Sequence, residues 1–157
     1  MIDLLYIASP SYSGSTLLTF LLASHPRIAT VGELKATGMG DADQYACSCG
    51  TPIRACVFWQ RVGEEVAARG SSFDLQRFGT HFKFEQSGGL ANRVLNARVR
   101  RGAFEAVRKV TLRTMPRAQV ELQATLARNR EIIEAICAIR GTNVFLDGSK
   151  DPIGSST

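Results

Sequence analysis

The chain has 157 residues, a formal net charge of +5, a hydrophobic fraction of 45% and a charged fraction of 21%. That composition can build a packed core and excludes disorder as a whole-chain state. No apolar run approaches the roughly 20 residues of a membrane helix, and four cysteines are too few for a disulfide scaffold at this length. One domain spanning 1–157 is expected. The first residues lack a basic segment and carry Asp3, so they read as a strand rather than a secretory leader, and a cytoplasmic protein is expected.

Leu4, Leu5, Tyr6, Ile7 and Ala8 form a short apolar run of the kind found in a buried parallel strand. Small and polar residues from Ser9 to Thr16 break it. Leu17, Leu18, Phe20, Leu21 and Leu22 follow, dense enough for a buried helix that stops near Ser24-His25-Pro26. Ile28 to Val31 can form a second strand, closed by Gly32. The segment from Lys35 to Thr51 is loop-like. Val57 to Arg69 predicts a helix with Phe58, Val62, Val66 and Ala67 on one face and Trp59 as an anchor. Asp74 to Phe84 has no clear period.

Leu90 to Thr114 predicts a basic helix interrupted near Gly102. A second helix runs from Pro116 to about Arg140, offering Val120, Leu122, Leu126, Ile132, Ile133, Ile136 and Ile139 for burial, with Gly141 as its stop. Asn143 to Asp147 predicts a last strand, followed by Gly148-Ser149-Lys150-Asp151-Pro152. Strands of buried type separated by helices imply an α/β fold with parallel pairing. The Val144–Leu146 strand is expected beside the first, bringing the Ser9–Thr16 and Gly148–Asp151 loops to one rim, because ligands in such sheets sit at the strands' carboxyl ends.

The Ser9–Thr16 loop has the chemistry of an anion cradle. Small residues between a strand and a helix turn backbone N–H groups toward a negative charge, and the helix N-terminus adds partial positive charge. Against the nucleotide template G-x-x-x-x-G-K-S/T, this window matches at Gly14 and Thr16 but places Ser9 at the first glycine and Ser15 at the lysine. The lysine that reaches a triphosphate is missing, while the hydroxyls of Ser13, Ser15 and Thr16 remain as donors.

Ser9-Pro10-Ser11-Tyr12-Ser13-Gly14-Ser15-Thr16-Leu17-Leu18, then Ser24-His25-Pro26 and Val31-Gly32-Glu33-Leu34, resembles the sulfotransferases that use 3′-phosphoadenosine-5′-phosphosulfate (PAPS). Asp147-Gly148-Ser149-Lys150-Asp151-Pro152 is similar to the strand-end Lys-Asp-Pro of tyrosylprotein and related bacterial members. Cys47-Ser48-Cys49-Gly50 with Cys56-Val57-Phe58-Trp59 is also similar to a segment of bacterial members. The resemblance covers roughly residues 2–60 and 143–152.

It implies a P-loop NTPase-like three-layer α/β fold with a parallel central sheet, and sulfuryl transfer from PAPS to a hydroxyl or amine acceptor. Ser11, Tyr12, Ser13, Gly14, Ser15 and Thr16 would form the 5′-phosphosulfate loop. Glu33 corresponds to the general base of tyrosylprotein members, and Lys150 to the lysine that supports the leaving phosphate and the transferring group. Many members carry Arg where Tyr12 stands here. Family groups for the 3′-phosphate and adenine come largely from beyond Lys-Asp-Pro, so the chain is expected to be the N-terminal part of a longer, C-terminally truncated catalytic domain. No metal is expected in the transfer.

Two other functional readings stay open: a P-loop kinase-like transferase using a nucleotide, and a noncatalytic domain binding an acidic partner. The second rests on the stretch from Asn92 to Arg117, where Arg93, Arg98, Arg100, Arg101, Arg108, Lys109, Arg113 and Arg117 stand against Glu105 alone. A solvated helix face explains the same pattern. Phe104 is its one aromatic, so stacking on nucleic acid has little support. Cys47, Cys49 and Cys56 are open to three readings: free thiols, a disulfide, or a zinc or redox site. Cys137 reads as a buried hydrophobe, and His25 as a capping or packing residue. The acceptor and the oligomeric state are not specified by these motifs.

Overall fold

A computed structural model describes residues 1–7, 9, 13–34, 43–75, 79–80, 84, 87–95, 97 and 102–149. In chain order the elements are β1 (Asp3–Tyr6), α1 (Ser15–Ala23), β2 (Ile28–Thr30), α2 (Val57–Ala68), α3 (Gly89–Leu95), α4 (Gly102–Thr114), α5 (Pro116–Arg140) and β3 (Val144–Asp147). The three strands form a parallel sheet in the order β1-β3-β2. The architecture is therefore α/β, and β3 lies beside β1 as expected.

The register sets Leu4 and Ala29 on either side of Phe145, and Tyr6 opposite Asp147. Parallel neighbours need a crossover connection rather than a tight turn. Here α1 carries the chain from β1 to β2, and α5 returns it to the gap between them. The central strand is the buried one: Phe145 is 0% and Leu146 1% exposed. Adjacent strand residues face opposite sides, so both faces of β3 are covered.

The main core lies on the Phe145 side. α2 contributes Trp59, Val62 and Val66, α5 contributes Ile132, Ala135, Ile136 and Cys137, and β2 contributes Ala29. The spacing on α2 is that of one helix face. Trp59 anchors it as expected, packing edge-on against Phe58 at 5.4 Å and stacked on Phe73 at 6.3 Å. Phe58 is only partly buried and Ala67 is exposed, so the inward face is centred on Trp59 rather than on those two.

Three burial expectations are corrected. The residues of β1 are exposed, Leu4 by 59%, because among the described elements β1 packs chiefly against β3, whereas β2, the other edge strand, is also covered by α1 and α5. In α1, Leu17, Leu18, Phe20 and Leu21 are also exposed, Phe20 by 67%, while Leu22 is half-buried and Ser15 and Thr19 are the buried ones. Burial on α5 is confined mainly to its C-terminal half. Val120 is 67% exposed and Leu126 44%, whereas Ile132 and Ile136 are fully buried. Length explains the difference: 25 helical residues span about 37 Å, and strands of three or four residues only about 10–14 Å. The N-terminal half runs past the sheet and meets α4.

The break near Gly102 is present, with α3 ending at Leu95 and α4 beginning at Gly102. Arg108 is buried, correcting its place on a solvated basic face. Its guanidinium donates to the carbonyls of Val94 and Ala97, pairs with Glu105, and lies 5.5 Å from the Phe104 ring centroid. Arg93, Lys109, Arg113 and Arg117 are exposed, while Arg98, Arg100 and Arg101 lie outside the described residues. No described helix is long and apolar enough to cross a membrane.

Candidate anion site at the carboxyl ends of the strands

Because all three strands run the same way, the chain leaves each of them at one rim of the sheet. β1 leads to the small-residue loop and α1, β2 to Gly32-Glu33, and β3 to Gly148-Ser149. Topology thus places the described parts of the three exits, Ser13-Gly14, Gly32-Glu33 and Gly148-Ser149, at the same rim.

Gly14 caps α1 with φ 79°, a left-handed conformation that strains any residue with a Cβ. Its carbonyl accepts the first helical bond from Leu18 N–H at 3.1 Å. Gly14 has no side chain with which to cap the helix, and the first turn contains no acidic residue, so the positive end of the helix dipole has no carboxylate of its own in that turn. Ser13, Gly14 and Thr16 are exposed, and Ser15 is buried. Ser9 Oγ, at the beginning of the loop, is buried with no hydrogen-bond partner among the described residues. Ser11 and Tyr12 lie outside the described residues.

The other two exits are stitched to each other and to β1. Gly148 N–H donates to Gly32 O at 2.8 Å. One carboxylate oxygen of Asp147 accepts from Leu34 N–H at 3.2 Å, Ser149 N–H at 2.9 Å and Ser149 Oγ at 2.6 Å. Tyr6 Oη donates to Ser149 O at 2.7 Å. A Cβ on Gly148 would meet Thr19 Oγ1 at 2.7 Å, and Thr19 Oγ1 itself donates to Ser15 O at 2.9 Å. Half-buried Glu33 stands between Gly32 and Leu34, both bonded to the β3 exit. Lys150 lies outside the described residues, directly after buried Ser149.

Asp147, Thr19 and Gly148 were not among the sequence-predicted site residues. Asp147 reads locally as the polar end of a strand, and Gly148 as a turn glycine. Their joint role depends on a partner more than a hundred residues away. His25 Nδ1 accepts from Arg27 N–H at 3.2 Å, which fits a local role at the end of α1.

A second cluster lies before α2. The Sγ atoms of Cys47, Cys49 and Cys56 all fall within 4.8 Å of one another. Hydrogen bonds from the side chain and backbone of Thr51 hold the Cys49 thiol down at about 6, while burial pushes Cys47 up. Cys137 is remote from them in the α5 core, buried as expected, and burial raises its pKa.

The chain matches no family model, no curated protein and no solved structure.

Proposed function

We propose that the chain carries the PAPS-binding and catalytic rim of a sulfotransferase on a P-loop NTPase-like three-layer fold. The observation that carries this reading is the exit of the glycine-capped α1 N-terminus, the Gly32-Glu33 turn and the β3 end at one edge of a parallel sheet. PAPS supplies an activated sulfuryl group. The α1 N–H groups and the hydroxyls of Ser13, Ser15 and Thr16 bind its 5′-phosphosulfate, with Ser11 and Tyr12 completing the loop. Glu33 takes the proton of the acceptor hydroxyl or amine as that atom bonds to sulfur. The bond from sulfur to the bridging oxygen breaks, and adenosine 3′,5′-bisphosphate leaves with the electron pair. Lys150 neutralises the charge that develops on the leaving oxygen.

A nucleoside triphosphate fits this rim less well, since Ser15 stands where a triphosphate-binding lysine is required. Calorimetry on a chain that retains the distal 3′-phosphate site tests the point. Adenosine 3′,5′-bisphosphate is expected to bind more tightly than ATP, and Gly14→Val to abolish binding. ATP binding at least as tightly would favour the kinase-like transferase instead.

A further inference from the structure

Residues 43–56 contain little regular structure. A bridge pairs Ala46 with Pro52, and Ile53 to Ala55 form a 3₁₀ turn. Within it, Cys47 N–H donates to Thr51 O at 2.8 Å, and Gly50 N–H to Cys47 O at 2.8 Å. The tight turn sets Cys47 and Cys49 on one side. The 3₁₀ turn then brings in Cys56, the N-cap of α2, which is 3% exposed. Cys56 Sγ lies 3.5 Å from Cys47 Sγ and 3.6 Å from Cys49 Sγ.

Those separations differ from a disulfide, in which sulfurs lie about 2.05 Å apart. A disulfide would also leave the third thiol unpaired. They are close to the edge of a zinc–thiolate tetrahedron: zinc–sulfur bonds of about 2.3 Å at the tetrahedral angle put sulfurs about 3.8 Å apart. The Thr51 hydroxyl lies 3.0 Å from Cys49 Sγ, where it can donate to a thiolate. Cys56 sits at the positive end of a helix dipole. Polar contacts beyond the ligands hold them in orientation, as at established metal centres.

We propose that Cys47, Cys49 and Cys56 bind one zinc ion, with water at the fourth position beside exposed Cys49. Three thiols give up their protons and three zinc–sulfur bonds form, leaving a complex of charge −1; no electron is transferred. The ion ties the 43–56 segment to the start of α2 and takes no part in sulfuryl transfer. Its presence is therefore independent of the function proposed for the strand-end rim.

Cobalt titration of the reduced full chain, under anaerobic conditions, tests the site. One equivalent is expected to bind with a thiolate-to-cobalt charge-transfer band and tetrahedral ligand-field bands, and zinc should displace it with release of protons. Cys49→Ser, at an exposed position that keeps the fold, should weaken binding by more than about 100-fold, and Thr51→Val by about 10-fold. Cys137→Ala should bind as the parent does. Absorption spectroscopy at the zinc edge should find three sulfurs and one oxygen. A missing charge-transfer band, unchanged affinity in a folded Cys49→Ser chain, or a four-sulfur shell made by two chains sharing one ion would overturn the proposal.

Discussion

Glu33 and Lys150 are expected to fail in different ways. A general base acts on the acceptor's proton, so Glu33→Gln should lower kcat by about 10²–10⁴ while leaving adenosine 3′,5′-bisphosphate affinity nearly intact. Lys150 is proposed to act on charge that grows as the bond to the leaving group breaks. Lys150→Ala should therefore lose turnover more than ground-state affinity. Steady-state kinetics paired with calorimetry separates the two, and normal turnover by either variant would remove that residue from the chemistry. Gly148 makes a structural demand at the same rim. Its missing Cβ would lie 2.7 Å from Thr19 Oγ1 and 3.1 Å from Gly32 O. Gly148→Ala is expected to destabilise by about 1–3 kcal/mol in urea unfolding. Adding Thr19→Ala removes the nearer clash, so the double variant should lose less than the sum of the two singles. Strict additivity would place the cost elsewhere.

At the scale of elements, α2 and α5 are joined by a core and by an ion-pair network at its edge. Glu134 on α5 accepts from Arg130 Nε at 2.8 Å and from Arg69 Nη1, just past α2, at 3.0 Å. The hydrogen bond from Arg130 and the charge of both arginines hold the Glu134 carboxyl below its usual range. A pKa lowered by folding contributes stability while the carboxylate is ionised, and that contribution is lost as pH falls through the folded-state value. The parent should thus be more stable than Glu134→Gln at neutral pH, with the gap closing on acidification below the ordinary carboxylate range. Arg130 is largely solvated, so the gap should be small and should shrink with added salt. Thermal unfolding across pH checks it, and a gap that widens in acid would contradict the assignment. Element boundaries were readable where a local device ends them. Pro116 opens α5 and Gly141 closes it, because both act through their own backbone. Burial within the elements was less readable. Leu4 to Ile7 and Leu17 to Leu22 have the composition of buried segments, yet β1 and most of α1 are exposed. Composition measures what a segment can bury, and packing partners decide what it does bury.

For the whole molecule, the local sequence determined the kinds of element, the small-residue turn before α1 and the residue types of the two clusters, because each depends on neighbours a few positions away. Tertiary structure decided the strand order β1-β3-β2, which makes β3 central and buries Phe145 and Leu146 of this short strand almost completely. It also withdrew Arg108 from the basic stretch, where periodicity alone could not tell a solvated cation from one folded back onto the carbonyls of Val94 and Ala97. The candidate rim divides in the same way. Ser13 to Thr16 and Gly32-Glu33 are legible as short motifs, while Asp147, Thr19 and Gly148 acquire meaning only when the sheet brings residue 147 to residue 34. Cys47, Cys49 and Cys56 were visible as three thiols within ten positions. That their sulfurs meet follows from a tight turn and a 3₁₀ turn folding back on each other, since spacing limits how far apart residues can be and only the path of the backbone decides where their side chains converge.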